Sequence, residues 1–75
     1  MSENFVDTRG YSCPEPLLMT RDAARRFGNQ PFTVAVSSPT ARDNVSDFLE
    51  DSGRKVTVET EGSGWLIKAA SAPRA

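Results

Sequence analysis

The sequence predicts a two-layer α/β (α+β) sandwich of order βαβαββ, with one mixed four-stranded sheet and two helices on one of its faces. Three observations lead there. Alternation, with Phe32, Val34 and Val36 on one side and Val56 and Val58 against Thr57 and Glu59, marks strands at "PFTVAVS" and "RKVTVETE". Two stretches opened by Cys13-Pro14 and Ser38-Pro39 repeat apolar residues at three-and-four spacing, the period of a half-buried helix. The strands alternate instead of being apolar throughout, which leaves one sheet face open to water.

Each element has its own signal. Asn4 to Thr8, with Phe5 and Val6, reads as a first strand turned by Gly10. From Pro14 to about Phe27, Leu17, Thr20, Ala24 and Phe27, flanked by Met19 and Ala23, share a helical face opposite Arg21, Asp22, Arg25 and Arg26. Gly28 and Asn29 stop that helix. Pro31 to Ser37 places Phe32, Val34 and Val36 on one side of a second strand. Ser38 is an N-cap and Pro39 a first helical residue. Ala41, Val45, Phe48, Leu49 and Ser52 form the stripe of the second helix, and Gly53 closes it. Arg54 to Glu61 is a third strand, and Gly62-Ser63-Gly64 turns it into a fourth at Trp65 to Ala70, with Trp65 and Ile67 facing the core. Successive right-handed crossovers put both helices on one side, and the last two strands form an antiparallel hairpin. The expectation is one domain over residues 1–75, ordered from about 4 to 70, with 71–75 a loose tail.

Bulk composition removes several functions. Hydrophobic residues are 37% and charged residues 25% of 75, ordinary for a globular chain. A formal charge of -1, and no basic stripe interleaved with aromatics, argue against nucleic acid and anionic membranes as partners. With no histidine there is no Cys–His pair, Ser–His base or imidazole ligand, and one cysteine makes no internal disulfide. No metal or cofactor is expected. "MSENFVDTRG" has neither a basic leader nor an apolar core, and no stretch is long enough to span a bilayer, so a cytoplasmic location with a reduced thiol is expected.

That thiol, Cys13, stands where the first helix begins. With Pro14 as the first helical residue, Cys13 falls at the N-cap or beside it, near backbone N–H groups and the positive end of the helix dipole. A negative charge there gains about 0.3–1 kcal/mol, which draws a thiol toward its reactive anion. Arg9 or Arg21 adds to this, whereas Glu15 favours the helix and opposes a thiolate. Pro16, taken as the third helical residue, stiffens the helix start without breaking a ladder bond. A lone cysteine also serves as a small buried hydrophobe. Ser, Thr, Asp or Asn caps a helix better, however, so a thiol at this place points to chemistry.

"DTRGYSCPEP", Asp7 through Pro16, resembles the signature of the TusA-like (SirA-like) sulfur-carrier family, Asp-x-x-Gly-x-x-Cys-Pro-x-Pro. The likeness continues through "SSPTARDNVSDFLEDSGRKVTV" to the closing hairpin. There Asn44-Val45, Phe48 and Ser52-Gly53 are similar to the YedF-like branch, which is associated with selenium metabolism. Two departures stand out. Many members have an acidic residue where Ser38 precedes the second helix's proline, and the C-terminal DsrE-type domain frequent in YedF-like proteins is not seen in these 75 residues.

The resemblance implies sheet order 1-2-4-3 and a sulfurtransferase-type carrier in which Cys13 holds sulfane sulfur as a persulfide. It frames Cys13 with Pro14, Glu15 and Pro16, and Asp7, Gly10 and Arg21 support it. The implied partners are a protein sulfur donor (a cysteine desulfurase or rhodanese) and a protein acceptor thiol, met by a monomer in transient complexes. Leu18 falls outside the core stripe close to Cys13, and with Tyr11 and Met19 it is a candidate partner contact. The alternatives are a selenium carrier using the same cysteine and a non-catalytic regulatory interaction module.

Overall fold

The computed structural model describes residues 4–11, 14–28 and 30–71, and its elements run in the expected order: β1 Phe5–Asp7, α1 Glu15–Phe27, β2 Phe32–Val36, α2 Pro39–Asp51, β3 Val56–Glu61 and β4 Gly64–Ala69. The sheet order is β1-β2-β4-β3. β1 pairs with β2 in parallel, Val6 opposite Val34. β4 runs antiparallel to both neighbours, with Ile67 opposite Val34 on one side and Val58 on the other. A parallel pair needs a crossover, and α1 supplies it; the antiparallel pair needs only a tight turn.

The register fixes which residues face the helices. Val6, Phe32, Val34, Val36, Ile67 and Ala69 join Ala23, Ala41, Val45 and Leu49 in one buried core, against which Met19, Ala24, Phe27, Phe48, Val56 and Trp65 pack half-buried. The opposite face carries Phe5, Asp7, Thr57, Glu59, Glu61 and Lys68, all exposed. β3 is an edge strand, as β1 is, and Val58 lies 41% exposed despite standing in register with Ile67. Among the described residues no helix is long and apolar enough to cross a membrane.

Ends of elements follow local rules. Ser38 caps α2 as expected, accepting from the Ala41 N–H at 3.1 Å with Pro39 first in the helix. At the other end Gly53 takes φ 94°, and the N–H groups of Gly53 and Arg54 bond the carbonyls of Glu50 (2.9 Å) and Leu49 (3.2 Å), a Schellman closure. Gly62 opens the hairpin turn with φ 60°. Gly64 is the first residue of β4, and a Cβ there would stand 2.4 Å from the Val36 carbonyl oxygen.

Three expectations need correction. Pro14 is the N-cap of α1, with φ −100° and ψ 18°, and Glu15 is the first helical residue; Pro16 is therefore second, not third. The buried face of α1 is Pro16, Thr20 and Ala23, so Leu17, read as core, is only half-buried. The proline ring, which has no polar group to solvate, takes the inward place and rotates the stripe by one residue. The third strand begins at Val56, because Arg54 belongs to the α2 closure and turns its side chain inward to 6% exposure. The anticipated tail at 71–75 lies, from 72 onward, outside the described residues.

Candidate functional site

The end of the sheet from which β1 and β2 emerge gathers the loop leading to α1, the start of α2 and the β3–β4 turn. Parallel strands followed by helices on one face force the two helix N-termini to this end. Cys13 and Ser12 lie outside the described residues; the site is built from the residues on either side.

On the N-terminal side, Asp7 and Gly10 shape a turn. The Asp7 carboxylate accepts from the Arg9 backbone N–H at 3.1 Å and from its guanidinium Nε and NH2 at 3.0 Å each. These bonds, the side-chain one foremost, hold the Asp7 pKa down at about 2 and push that of Arg9 up. Arg9 also approaches Glu61, at 3.9 Å, across to the hairpin. The Tyr11 N–H bonds the Thr8 carbonyl at 3.2 Å, and Gly10 takes φ 88° at the third position of that turn. An L side chain rarely holds this conformation, so glycine is needed here for its backbone although nothing lies within 4 Å of where a Cβ would stand.

The turn is strapped to β2. Thr8, fully buried, gives both its N–H (2.9 Å) and its hydroxyl (2.7 Å) to the Ala35 carbonyl. The Gly10 N–H donates to Ser37 Oγ at 3.2 Å. Sequence reading passed over Thr8 and Ser37, because one hydroxyl after a strand carries no signal until its partner 27 residues away is known.

On the C-terminal side, Pro14 caps α1 without a side-chain bond, and its carbonyl accepts from the Leu18 N–H at 3.1 Å. Two prolines at the cap and second position remove two N–H groups, leaving those of Glu15 and Leu17 to face an anion in the first turn. The helix dipole remains, with exposed Glu15 opposing it for an anion. With Pro14 as the N-cap, Cys13 is the residue that precedes it in sequence. Thr20 returns its hydroxyl to the Pro16 carbonyl at 2.8 Å, fastening the stiffened first turn from within.

Of the other candidates, Tyr11 is 53% and Leu18 40% exposed, among the largest apolar surfaces described. Met19 turns partly into the core, and Arg21 is exposed on the outer face of α1. Trp65 is half-buried, its outer ring face covered by the Arg42 guanidinium 4.7 Å from the centroid. Among the described residues no group of three or more His, Cys, Asp or Glu is placed to hold a metal.

The family model for sulfurtransferase TusA matches residues 4–69, from the residue before β1 to the end of β4. This chain belongs to the TusA family. No curated protein sequence matches it. Among solved structures, the crystal structure of a SirA-like protein from Desulfitobacterium hafniense superposes with a TM-score of 0.78 at 21% identity, covering 92% of this chain and 97% of that one. At that identity the likeness speaks for the fold, including its sheet order. In this TusA-family chain the one thiol falls inside the matched region, immediately ahead of α1.

Proposed function

We propose that this chain is a single-domain sulfur carrier whose Cys13 relays sulfane sulfur between protein partners. One observation supports it above the rest. Within a sulfurtransferase family match, the only cysteine precedes the cap of α1 between an exposed Tyr11 and an exposed Pro14-Glu15. The flanking Cys13-Pro14-Glu15-Pro16 run, with Asp7 and Gly10 shaping the turn ahead of it, is read as the carrier motif, and the YedF-like branch as its nearest kin.

The chemistry needs no metal, base or nucleotide. The Cys13 thiolate attacks the terminal sulfur of a donor protein's persulfide. A new S–S bond forms at Cys13, the donor's S–S bond breaks, and the donor cysteine leaves as thiolate. An acceptor thiolate then attacks the outer sulfur, and Cys13 leaves in turn. Sulfur moves at constant oxidation state, so neither step consumes a reductant. The positive end of α1 favours the Cys13 anion both as nucleophile and as leaving group. Exposed Leu18 and Tyr11 offer apolar contact to a partner beside the thiol, and Arg21, one turn further along α1, offers charge.

Incubation with a cysteine desulfurase and cysteine, followed by intact mass measurement, gives a gain of one sulfur that disappears in Cys13→Ser. A gain of one selenium from a donor protein's selenopersulfide, which exchanges at constant oxidation state, would reassign the cargo. No adduct on the wild-type chain, or full cellular function of Cys13→Ser, rules out the relay and leaves a regulatory module.

A further inference from the structure

Resting on the Cys13 relay, we infer that Ser37 is a positioning residue, its hydroxyl tethering the Cys13-bearing loop to the end of β2. The β1–β2 ladder explains why a side chain is needed. Thr8 continues the parallel register by bonding the Ala35 carbonyl, and two residues on, the Gly10 N–H would meet the Ser37 carbonyl if the strand ran straight. It does not run straight. The turn closed by the Tyr11 N–H and the φ 88° of Gly10 swings the chain away from β2. The Ser37 hydroxyl spans the gap and takes the Gly10 N–H at 3.2 Å. Ser37 is exposed and is not the α2 cap, a task Ser38 performs, so neither core packing nor capping accounts for a hydroxyl there.

The bond sits at an informative place. From Gly10 the chain passes through Tyr11, Ser12 and Cys13 to Pro14, whose carbonyl is fixed by Leu18 in α1. Ser37 thus pins the near end of the Cys13 loop and α1 pins the far end. A sulfur that must meet a partner's sulfur in line gains rate from such restriction. Without Ser37 Oγ, Gly10 loses its tie to β2 and the near end is held only through the Thr8–Tyr11 turn.

The test compares wild type with Ser37→Ala and Ser37→Thr in persulfide transfer from a cysteine desulfurase at varied desulfurase concentration. Amide hydrogen exchange at Gly10 and thermal unfolding are followed alongside. Ser37→Ala is expected to exchange faster at Gly10 and to lower the saturating rate about 3- to 10-fold, the worth of one net hydrogen bond. The donor KM should stay within about twofold, and Ser37→Thr should restore rate and protection. A rise in KM alone would make Ser37 a docking contact and overturn the proposal. Equal saturating rates would overturn it too. Alkylation of Cys13 by iodoacetamide at neutral pH needs no donor and reads the same tether. It should be slower in Ser37→Ala, and equal alkylation rates overturn the proposal where no donor loads the chain. A wild-type chain that alkylates but never gains sulfur removes the relay alone.

Discussion

Replacing Arg54 by alanine should come close to unfolding this protein, although Arg54 stands at the end of the sheet opposite the start of α1. Arg54 is only 6% exposed, and burial pushes its pKa down. NH1 donates to the Gln30 and Ala70 carbonyls at 3.0 Å each, NH2 donates to the Gly28 carbonyl, and the group stacks 4.9 Å from the Phe32 ring centroid. Hydrogen bonds to a charged group are worth about 1.5–3 kcal/mol each, and a sheltered cation–π contact about 1–2. Relief of the buried charge and water reaching the freed carbonyls offset part of that, leaving a net loss of about 3–5 kcal/mol, the range for breaking a buried charged pair. A chain of this length has about 4–11 kcal/mol in total. The melting temperature followed by far-UV circular dichroism should fall by roughly 15–30 °C. Arg54→Lys keeps the charge but cannot span three carbonyls with one ammonium, and should lose about half as much. Arg54→Ala melting within about 5 °C of wild type would refute the reasoning.

The remaining predictions are shorter. Gly64→Ala pushes a Cβ to 2.4 Å from the Val36 carbonyl oxygen, so the hairpin must shift; a loss of about 1–3 kcal/mol in urea unfolding is expected, and an unchanged midpoint would show that β4 yields freely. Asp7 titrates at about 2 against an ordinary 3.8, so its contribution is present above pH 3.8 and is lost as pH falls toward 2; Asp7→Asn should flatten the stability profile in that window, and an unchanged acid slope would deny the Arg9 clamp. Leu18→Ala removes an exposed side chain and should leave the melting temperature within a few degrees while raising the donor KM several-fold; a KM equal to wild type would remove Leu18 from the docking surface.

Much of the fold was legible because periodicity survives in a small chain. Val34, Val36, Val45, Leu49 and Ile67 are the largest fully buried aliphatics, and each stands on the face that alternation or helical spacing assigned. The sheet order came from the family signature instead, since spacing alone does not say whether β4 inserts between β2 and β3. What escaped were contacts made by polar side chains over long sequence separation. Arg54 read as the polar start of a strand, because nothing local reveals that three carbonyls await it. Thr8 and Ser37 escaped for the same reason. Pro16 misled in another way: treated as a stiffener, it is also the first buried residue of α1.

Arg54 and Ser37 mark opposite ends of one design. At the far end α1 finishes at Phe27, β2 begins, β4 ends and α2 closes; Arg54 ties the Gly28, Gln30 and Ala70 segments together with one cation placed where the helix dipoles are negative. At the near end both helices start, and the buried clamp there is neutral: Thr8 gives its N–H and hydroxyl to the Ala35 carbonyl. Beyond Thr8 the chain is held by the Tyr11 N–H on the Thr8 carbonyl, the Ser37 hydroxyl on Gly10, a two-residue ion pair and a proline-stiffened cap. The division suits the relay proposed above. Under the proposed relay, the end that meets partners is held by neutral and exposed bonds, and the buried charge that secures the small core sits at the other end. Stability and transfer should therefore separate: Arg54 substitutions short of unfolding shift the melting point and leave the transfer rate of the folded fraction unchanged, while Ser37 substitutions do the reverse. Loss of transfer in folded Arg54→Lys would mean that the two ends are coupled through the sheet.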